Sequence, residues 1–312
     1  MKLLALVLAG GEGTRLHPLT EKHAKPALPF AQGRRIVDFV LSNLVNSGID
    51  HICVLAQYKP ESLVRHVKAA WGSWLSRRGV SIEILLPRVE PDAALYRGTA
   101  DAVYRNLDLV RRHSPDLVAV FAADHVYRMD VRQMVEFHVA KRTQVSVAAV
   151  PVPLELASAF GVLEAGEDGR VVGFVEKPQS PAALRCRSGR VLASMGNYLF
   201  DPQMLVSVLE RATRQGHTDF GRHILPELPG RTRIFAYDFT RNQVPGVQHF
   251  EEPGYWRDVG TIASLFAARG DVTGPRPRFN LVNPDWPIHG SALAGVRPVR
   301  QDRTGSSASA VA

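Results

Sequence analysis

The sequence predicts an α/β protein, a mixed and mostly parallel sheet with helices packed on both faces. Three observations carry this. Apolar runs of strand length alternate with stretches of helical periodicity over the first 150 residues. Strand and helix repeated this way argue for a parallel sheet covered on both faces, and one run, Leu117–Ala123, is apolar almost throughout. A chain of 312 residues, 45% hydrophobic and 22% charged, is also large enough to bury such a sheet without staples.

The elements follow in order. Leu3–Ala9 reads as the first strand; it imitates a signal peptide, but its apolar stretch is short and runs straight into Gly10-Gly11-Glu12-Gly13-Thr14-Arg15. Ile36, Phe39, Val40, Leu44 and Val45 have helical spacing and stop at Gly48. His51–Gln57 is a strand, Glu61–Leu75 a helix entered through Pro60, and Ser81–Leu86 an alternating strand. Gly98–Arg112 is helical, Leu117–Ala123 a strand, Val131–Lys141 a helix and Gln144–Val152 a strand. Gly161–Ala165 and Val171–Val175 flank the hairpin signal Glu167-Asp168-Gly169. Leu192–Phe200 and Ile234–Phe239 are strands; Leu205–Arg214, behind Pro202, and Thr261–Arg269, capped by Thr261, are helices. From residue 271 to 312 Pro, Gly and Ser give linker or tail composition. The expectation is one domain over residues 1–270 and a tail over 271–312.

Composition excludes several classes. Cys53 and Cys186 cannot form a disulfide framework and suit free thiols in a reducing, cytoplasmic compartment. No apolar run is long enough to span a bilayer. The net charge of +8 admits anionic partners, but 31 of the 38 basic residues are scattered arginines. No basic run interleaves with aromatics, so neither nucleic acid nor a membrane is expected as partner.

Parallel sheets bind ligands beyond the carboxyl ends of their strands, so the chemistry is sought there. Gly10, Gly11 and Gly13 after the first strand let backbone N–H groups approach a phosphate chain, and Arg15 adds a forked donor. No Gly-Lys-Ser/Thr follows, and Leu16 stands where a dinucleotide fingerprint needs its third glycine, which argues against a nicotinamide oxidoreductase. Lys25, held extended by Pro26, is a candidate phosphate ligand. Asp124 ends an apolar strand, where a carboxylate needs a partner or a metal such as Mg²⁺; its neighbour His125 reads as a hydrogen-bonding loop residue. Glu176 and Lys177, adjacent on a strand, face opposite ways and need separate partners. Asp258, in Trp256-Arg257-Asp258-Val259-Gly260, is a second metal carboxylate or a loop acid.

The ordered set Gly10-Gly11-x-Gly13-Thr14-Arg15-Leu16, Lys25-Pro26, Asp124, Glu176-Lys177-Pro178 and Trp256–Gly260 resembles the sugar-phosphate nucleotidyltransferases, and within them the bacterial glucose-1-phosphate adenylyltransferases. Tyr96–Ala102, Ala159–Val162, Ala193–Tyr198, Asp219–Gly221, Trp286–Ile288 and Gln301–Ser306 extend the resemblance almost end to end. It implies a Rossmann-like nucleotide-diphospho-sugar transferase fold and a Mg²⁺-dependent reaction. A sugar 1-phosphate attacks the α-phosphorus of a nucleoside triphosphate and releases pyrophosphate, by default from ATP and glucose 1-phosphate. By the same resemblance Gly10, Gly11, Gly13, Thr14 and Arg15 hold the triphosphate, and Gln57, Gly98 and Thr99 face base and ribose. Tyr96, Gly161, Glu176, Lys177 and Ser194 contact the sugar phosphate. Arg15, Lys25, Asp124, Lys177 and Asp258 are the catalytic set, with Asp124 and Asp258 sharing the metal.

Three departures from the family pattern set alternatives. Pro87-Arg88-Val89-Glu90-Pro91 stands where the adenylyltransferases carry Pro-Ala-Gln-Gln-Arg, and Leu95 replaces their Trp. The segment between Pro178 and Ala193 is shorter, beside the sugar pocket. The sequence stops at Ala312, about where the family's left-handed β-helix begins, although Lys22, Arg35 and Arg112 match effector-site positions. Weak or absent effector control is therefore expected. The alternatives are another sugar or cyclitol 1-phosphate, GTP as donor in a secondary pathway, and a non-catalytic regulatory paralogue. The resemblance is compatible with a homo-oligomer but requires no tetramer.

Overall fold

The computed structural model describes residues 1–76, 79–87, 95–180 and 189–291. Arg88–Pro91, Cys186 and Gln301–Ser306 lie outside them. Its centre is a nine-stranded sheet. Four strands, β1 (Leu3–Ala9), β4 (His51–Ala56), β5 (Ser81–Leu85) and β6 (Leu117–Ala122), run parallel. Past β6 the direction reverses at β11 (Arg190–Phe200), which pairs antiparallel with β6, β8 (Val145–Pro153) and β9 (Gly161–Ala165). The hairpin partner of β9 is β10 (Val171–Glu176), and β12 (Ile234–Asp238) lies parallel to β8. The expected mixed, mostly parallel sheet is thus present, with its antiparallel part after β6.

Strand alternation decides which helix covers which face. Ala5, Val7 and Ala9 of β1 join one core with α1 (Ile36–Asn46), α2 (Pro60–Ser76) and α5 (Val131–Ala140). Leu4 and Leu6 join the other with α3 (Thr99–Tyr104), α4 (Leu107–His113) and α6 (Pro202–Arg214). Gly48, at φ +78°, ends α1 by the left-handed stop its position suggests. The helix expected over Gly98–Arg112 is two helices. Asn106 between them donates its side-chain amide to Ala102 O at 2.8 Å, competing with the helical ladder.

Three features escaped the apolar patterns. A two-stranded hairpin joins β2 (Pro29–Ala31) to β3 (Arg34–Arg35). A second small ribbon pairs β7 (His125–Tyr127) with β13 (Trp256–Asp258). Past α7 (Ile262–Asp271) the described chain packs on the domain: Val272, Phe279, Leu281 and Ile288 close a third core with Leu16, Phe39 and Val126, and the rest of the expected tail, residues 292–312, lies outside the described residues. Among the described residues no helix is long and apolar enough to cross a membrane.

Candidate active site

The carboxyl ends of β1, β4 and β6 lie side by side, with Ala9 paired to Ala56 and Leu8 to Ala122. Over them opens a cavity of about 400 Å³. Of the expected residues, Gly10, Gly11, Lys25, Gln57, Tyr96, Gly98, Thr99, Asp124, Glu176 and Lys177 line it. Gly13, Thr14, Arg15, Gly161, Ser194 and Asp258 are not among the residues lining it.

The glycine turn is built as its residue types suggest. Gly13 sits at φ +72°, and a Cβ there would lie 3.0 Å from Thr20 Cγ2 and 3.2 Å from Lys25 Cβ. Thr20 Oγ1 donates to Gly13 O at 2.8 Å, fixing the loop against the helical turn Thr14–Leu16. The Arg15 guanidinium reaches Gly260, where Nη2 lies 2.9 Å from the point a Cβ would take. Just past β4, Gln57 Nε2 donates to Gly10 O at 2.9 Å. Its Oε1 is buried with no protein donor.

Lys25 opens a short helical turn through Ala27; the extended residue is Ala24, not Lys25 as Pro26 suggested. Proline is tolerated in a first turn, where its missing N–H is not needed. The turn carries the Lys25 ammonium, itself buried, to 2.7 Å from Asp124 Oδ2 and 3.5 Å from Asp258 Oδ1. Burial alone would lower the lysine pKa, but the two carboxylates outweigh it and hold the pKa above the ordinary value. Burial likewise works against the Asp124 carboxylate, yet Lys25 and His125 hold it well below the usual range. Asp124 keeps 35% of its side-chain surface open, so it faces the cavity as an anion.

Asp258 comes to Asp124 through the small ribbon, whose register sets Asp258 opposite His125. Asp124, His125 and Asp258 each offer a ligand atom within 4.8 Å of the others, a group able to hold a metal ion. The expectation for His125 was only a loop hydrogen bond. It lies in β7, its ring 5.0 Å from Trp256 and its Nδ1 buried with no partner. Behind the ribbon, Arg257 pairs with Glu252 at 2.6 Å and Asp271 at 3.0 Å, tying β13 to the end of α7.

The opposite wall carries Glu176. Two glycines make room for its carboxylate: a Cβ on Gly161 would fall 2.8 Å, and one on Gly221 2.6 Å, from Oε2. Lys177 corrects a strand argument. It follows β10 at φ +47°, so alternation has ended and its Nζ turns back to 3.4 Å from Glu176 Oε1. The Tyr96 hydroxyl accepts from Asn106 at 3.1 Å. Gly98 caps α3 so tightly that a Cβ would lie 2.4 Å from Thr218 O. Thr99 Oγ1 donates to Asp219 Oδ2 at 3.0 Å. Ser194 accepts from Gly196 N at 3.3 Å inside the β11 bulge, where Gly196 is at φ +71°.

Sequence reasoning quoted Asp219, Gly221, Gly196 and Tyr198 without assigning them a place; all four line the cavity. Their signal was the Asp-Phe-Gly stretch and a glycine inside a strand, which marks a bulge or a close approach.

A glycine turn, a buried lysine, and two carboxylates brought together from the end of a sheet strand and from the small ribbon make a site suited to phosphate esters. The chain belongs to the family described as Nucleotidyl transferase, which matches residues 4–274. It is 46% identical over 297 residues to the glucose-1-phosphate adenylyltransferase of Thermodesulfovibrio yellowstonii, covering 94% of this chain and 72% of that one. It is 48% identical over 290 residues to the enzyme of the same name from Anaeromyxobacter dehalogenans, with 92% and 70% covered. The Thermus thermophilus enzyme of that name is 44% identical over 304 residues, with 94% and 72% covered.

Proposed function

We propose that this protein transfers the adenylyl group of ATP to glucose 1-phosphate, giving ADP-glucose and pyrophosphate. The names of its relatives support the reaction, and one observation supports the base. Gln57 lines the cavity; one of its amide N–H groups goes to Gly10 O, and its buried Oε1 has no protein donor. A buried acceptor needs a donor. The exocyclic amine of adenine supplies one, where guanine carries an acceptor, O6, at the same ring position. This favours ATP over the GTP alternative.

In the reaction a phosphate oxygen of the sugar phosphate forms a bond to the α-phosphorus as the bond to pyrophosphate breaks, with no covalent enzyme intermediate. Both partners are anions, so the protein's work is neutralisation and alignment. The N–H groups of Gly10 and Gly11 meet the triphosphate at the cavity, and Gly13, Thr14 and Arg15 continue the same loop along it. Lys25 and Lys177 offset charge on the triphosphate and the sugar phosphate. Gly98 and Thr99 face the ribose; Tyr96, Gly161, Glu176 and Ser194 shape the sugar pocket, with Glu176 accepting from hydroxyls.

The donor set fits Mg²⁺, which prefers one or two carboxylates plus substrate phosphates; Asp124 and Asp258 would hold it. When bound, Mg²⁺ supplies charge neutralisation at the phosphates.

The test is pyrophosphate release over the four nucleoside triphosphates with glucose 1-phosphate and other hexose and cyclitol 1-phosphates. The pair ATP and glucose 1-phosphate gives the highest kcat/KM. Release with GTP and none with ATP, or a clear preference for another acceptor, overturns the reading; no release with any pair overturns the enzyme assignment itself.

A further inference from the structure

We propose that His223 is a positioning residue that latches the two halves of the cavity together through a single imidazole lone pair. The inference rests on the reading that this cavity takes both substrates.

Asp219, Phe220 and Gly221 line the cavity, with Thr99 on one side and Glu176 on the other. On one side Thr218 O accepts from Ala100 N at 2.8 Å and Asp101 N at 3.1 Å, so this carbonyl fixes the first turn of α3 behind Gly98. Asp219 Oδ2 accepts from Thr99 Oγ1 at 3.0 Å, and Thr99 Oγ1 accepts in turn from Phe220 N at 3.0 Å. On the other side Gly221 lies directly against the Glu176 carboxylate. A shift of this segment therefore moves Gly98 and Thr99 together with the space that Glu176 occupies.

The His223 side chain ties two backbone amides of this segment. Its Nδ1 accepts from Thr218 N at 3.2 Å and from Asp219 N at 3.1 Å. Two donors converge on one ring nitrogen, which requires Nδ1 to be bare and the ring hydrogen to sit on Nε2. The ring is kept in place by stacking on His217, with centroids 4.8 Å apart and planes 10° from parallel. Glu227 faces His217 Nδ1 at 3.4 Å and is flanked by Arg211 and Arg231. His223 reaches no substrate pocket surface itself; it acts through the backbone amides it ties.

The experiment combines a spectroscopic signature with a rescue. In a long-range ¹H–¹⁵N correlation spectrum of the wild-type protein, His223 shows the Nε2–H tautomer with an unprotonated Nδ1. His223→Leu removes the acceptor and raises KM for both ATP and glucose 1-phosphate by about tenfold, the loss expected of two ordinary hydrogen bonds. His223→Asn places Oδ1 where Nδ1 was and restores KM to within about threefold of wild type. A protonated Nδ1 in the wild type, unchanged KM in the leucine variant, or an asparagine variant as impaired as the leucine one each overturns the proposal. Should the leucine variant not fold, the spectrum and the asparagine variant decide. If the protein turns over neither substrate, the tautomer still tests the latch, and that failure belongs to the functional reading.

Discussion

The ammonium of Lys25 lies 2.7 Å from Asp124 Oδ2, at the meeting point of a chain segment before the first helix and the end of a central strand. Asp258 is the third member at 3.5 Å from the same nitrogen. The three charges belong to one unit, so their substitutions are not additive. Lys25→Met leaves Asp124 and Asp258 facing each other without their counterion and lowers stability. Adding Asp124→Asn removes that repulsion, so the double variant is more stable than the two single effects sum to, by about 1 kcal/mol or more. Urea unfolding of the four proteins measures this, and strict additivity would count against a coupled unit.

Asp124→Asn also tests the metal assignment. The amide keeps the shape and loses the charge, so turnover falls by roughly a hundredfold or more. Mn²⁺ binding to the free protein, followed by electron paramagnetic resonance, weakens in the same variant. Near-wild-type turnover would remove Asp124 from the metal site.

Gln57→Leu removes this buried acceptor while keeping most of the side-chain volume. Its kcat/KM with ATP drops by about tenfold, and its preference for ATP over GTP narrows. An unchanged ratio of the two would show that the base is read elsewhere. The substitution also frees Gly10 O, which lost its 2.9 Å bond from Nε2, so Gln57→Glu is the companion: it keeps Oε1 as an acceptor and loses the donor.

The parallel core was legible because its central strands are mostly apolar and alternate with helical patterns, and Asp124 was legible because an acid at the end of an apolar strand is costly unless it binds something. What was hidden had a physical reason each time. The His125–Tyr127 and Trp256–Asp258 strands are three residues each and mix polar with apolar, too short for a period of two to register. Yet their pairing brings Asp258 to Asp124. The approach of Lys177 to Glu176 depends on one backbone angle, φ +47°, that no pattern of residue types encodes. The stretch after Asp271 has the proline content of a linker, but its few large apolar side chains are spaced to fill a core that only the folded domain presents.

Cys53 gives a prediction about reactivity. It faces inward from β4, and burial, reinforced by the charge of Glu83, pushes its thiol pKa up to about 11. The thiolate is the reactive form and exists below this pKa only in minor amount, about one part in a thousand at pH 8. Iodoacetamide at pH 8 therefore leaves the Cys53 peptide unmodified in the native protein and alkylates it in urea, as read by mass spectrometry. Rapid labelling of the native protein would mean that β4 opens or that the thiol is not buried.

Trp286 tests whether the proline-rich stretch is part of the folded body. The residue is 3% exposed, and its Nε1 donates to Asn43 Oδ1 at 3.3 Å. Asn43 Oδ1 also accepts from Met129 N at 3.0 Å, and its Nδ2 donates to Tyr127 O at 3.1 Å. The ring thus closes over a polar hub joining α1 to the strand that carries His125. Trp286→Ala opens a large cavity there and costs about 3 kcal/mol of unfolding free energy. Trp286→Phe keeps most of the packing and loses the indole donor, at a cost of about 1 kcal/mol. Because the hub supports the ribbon that carries Asp258, the alanine variant also weakens Mn²⁺ binding while the phenylalanine variant leaves it close to wild type. Chemical denaturation and metal titration of the two variants check both parts. An alanine variant as stable as wild type would mean that this stretch does not pack on the domain.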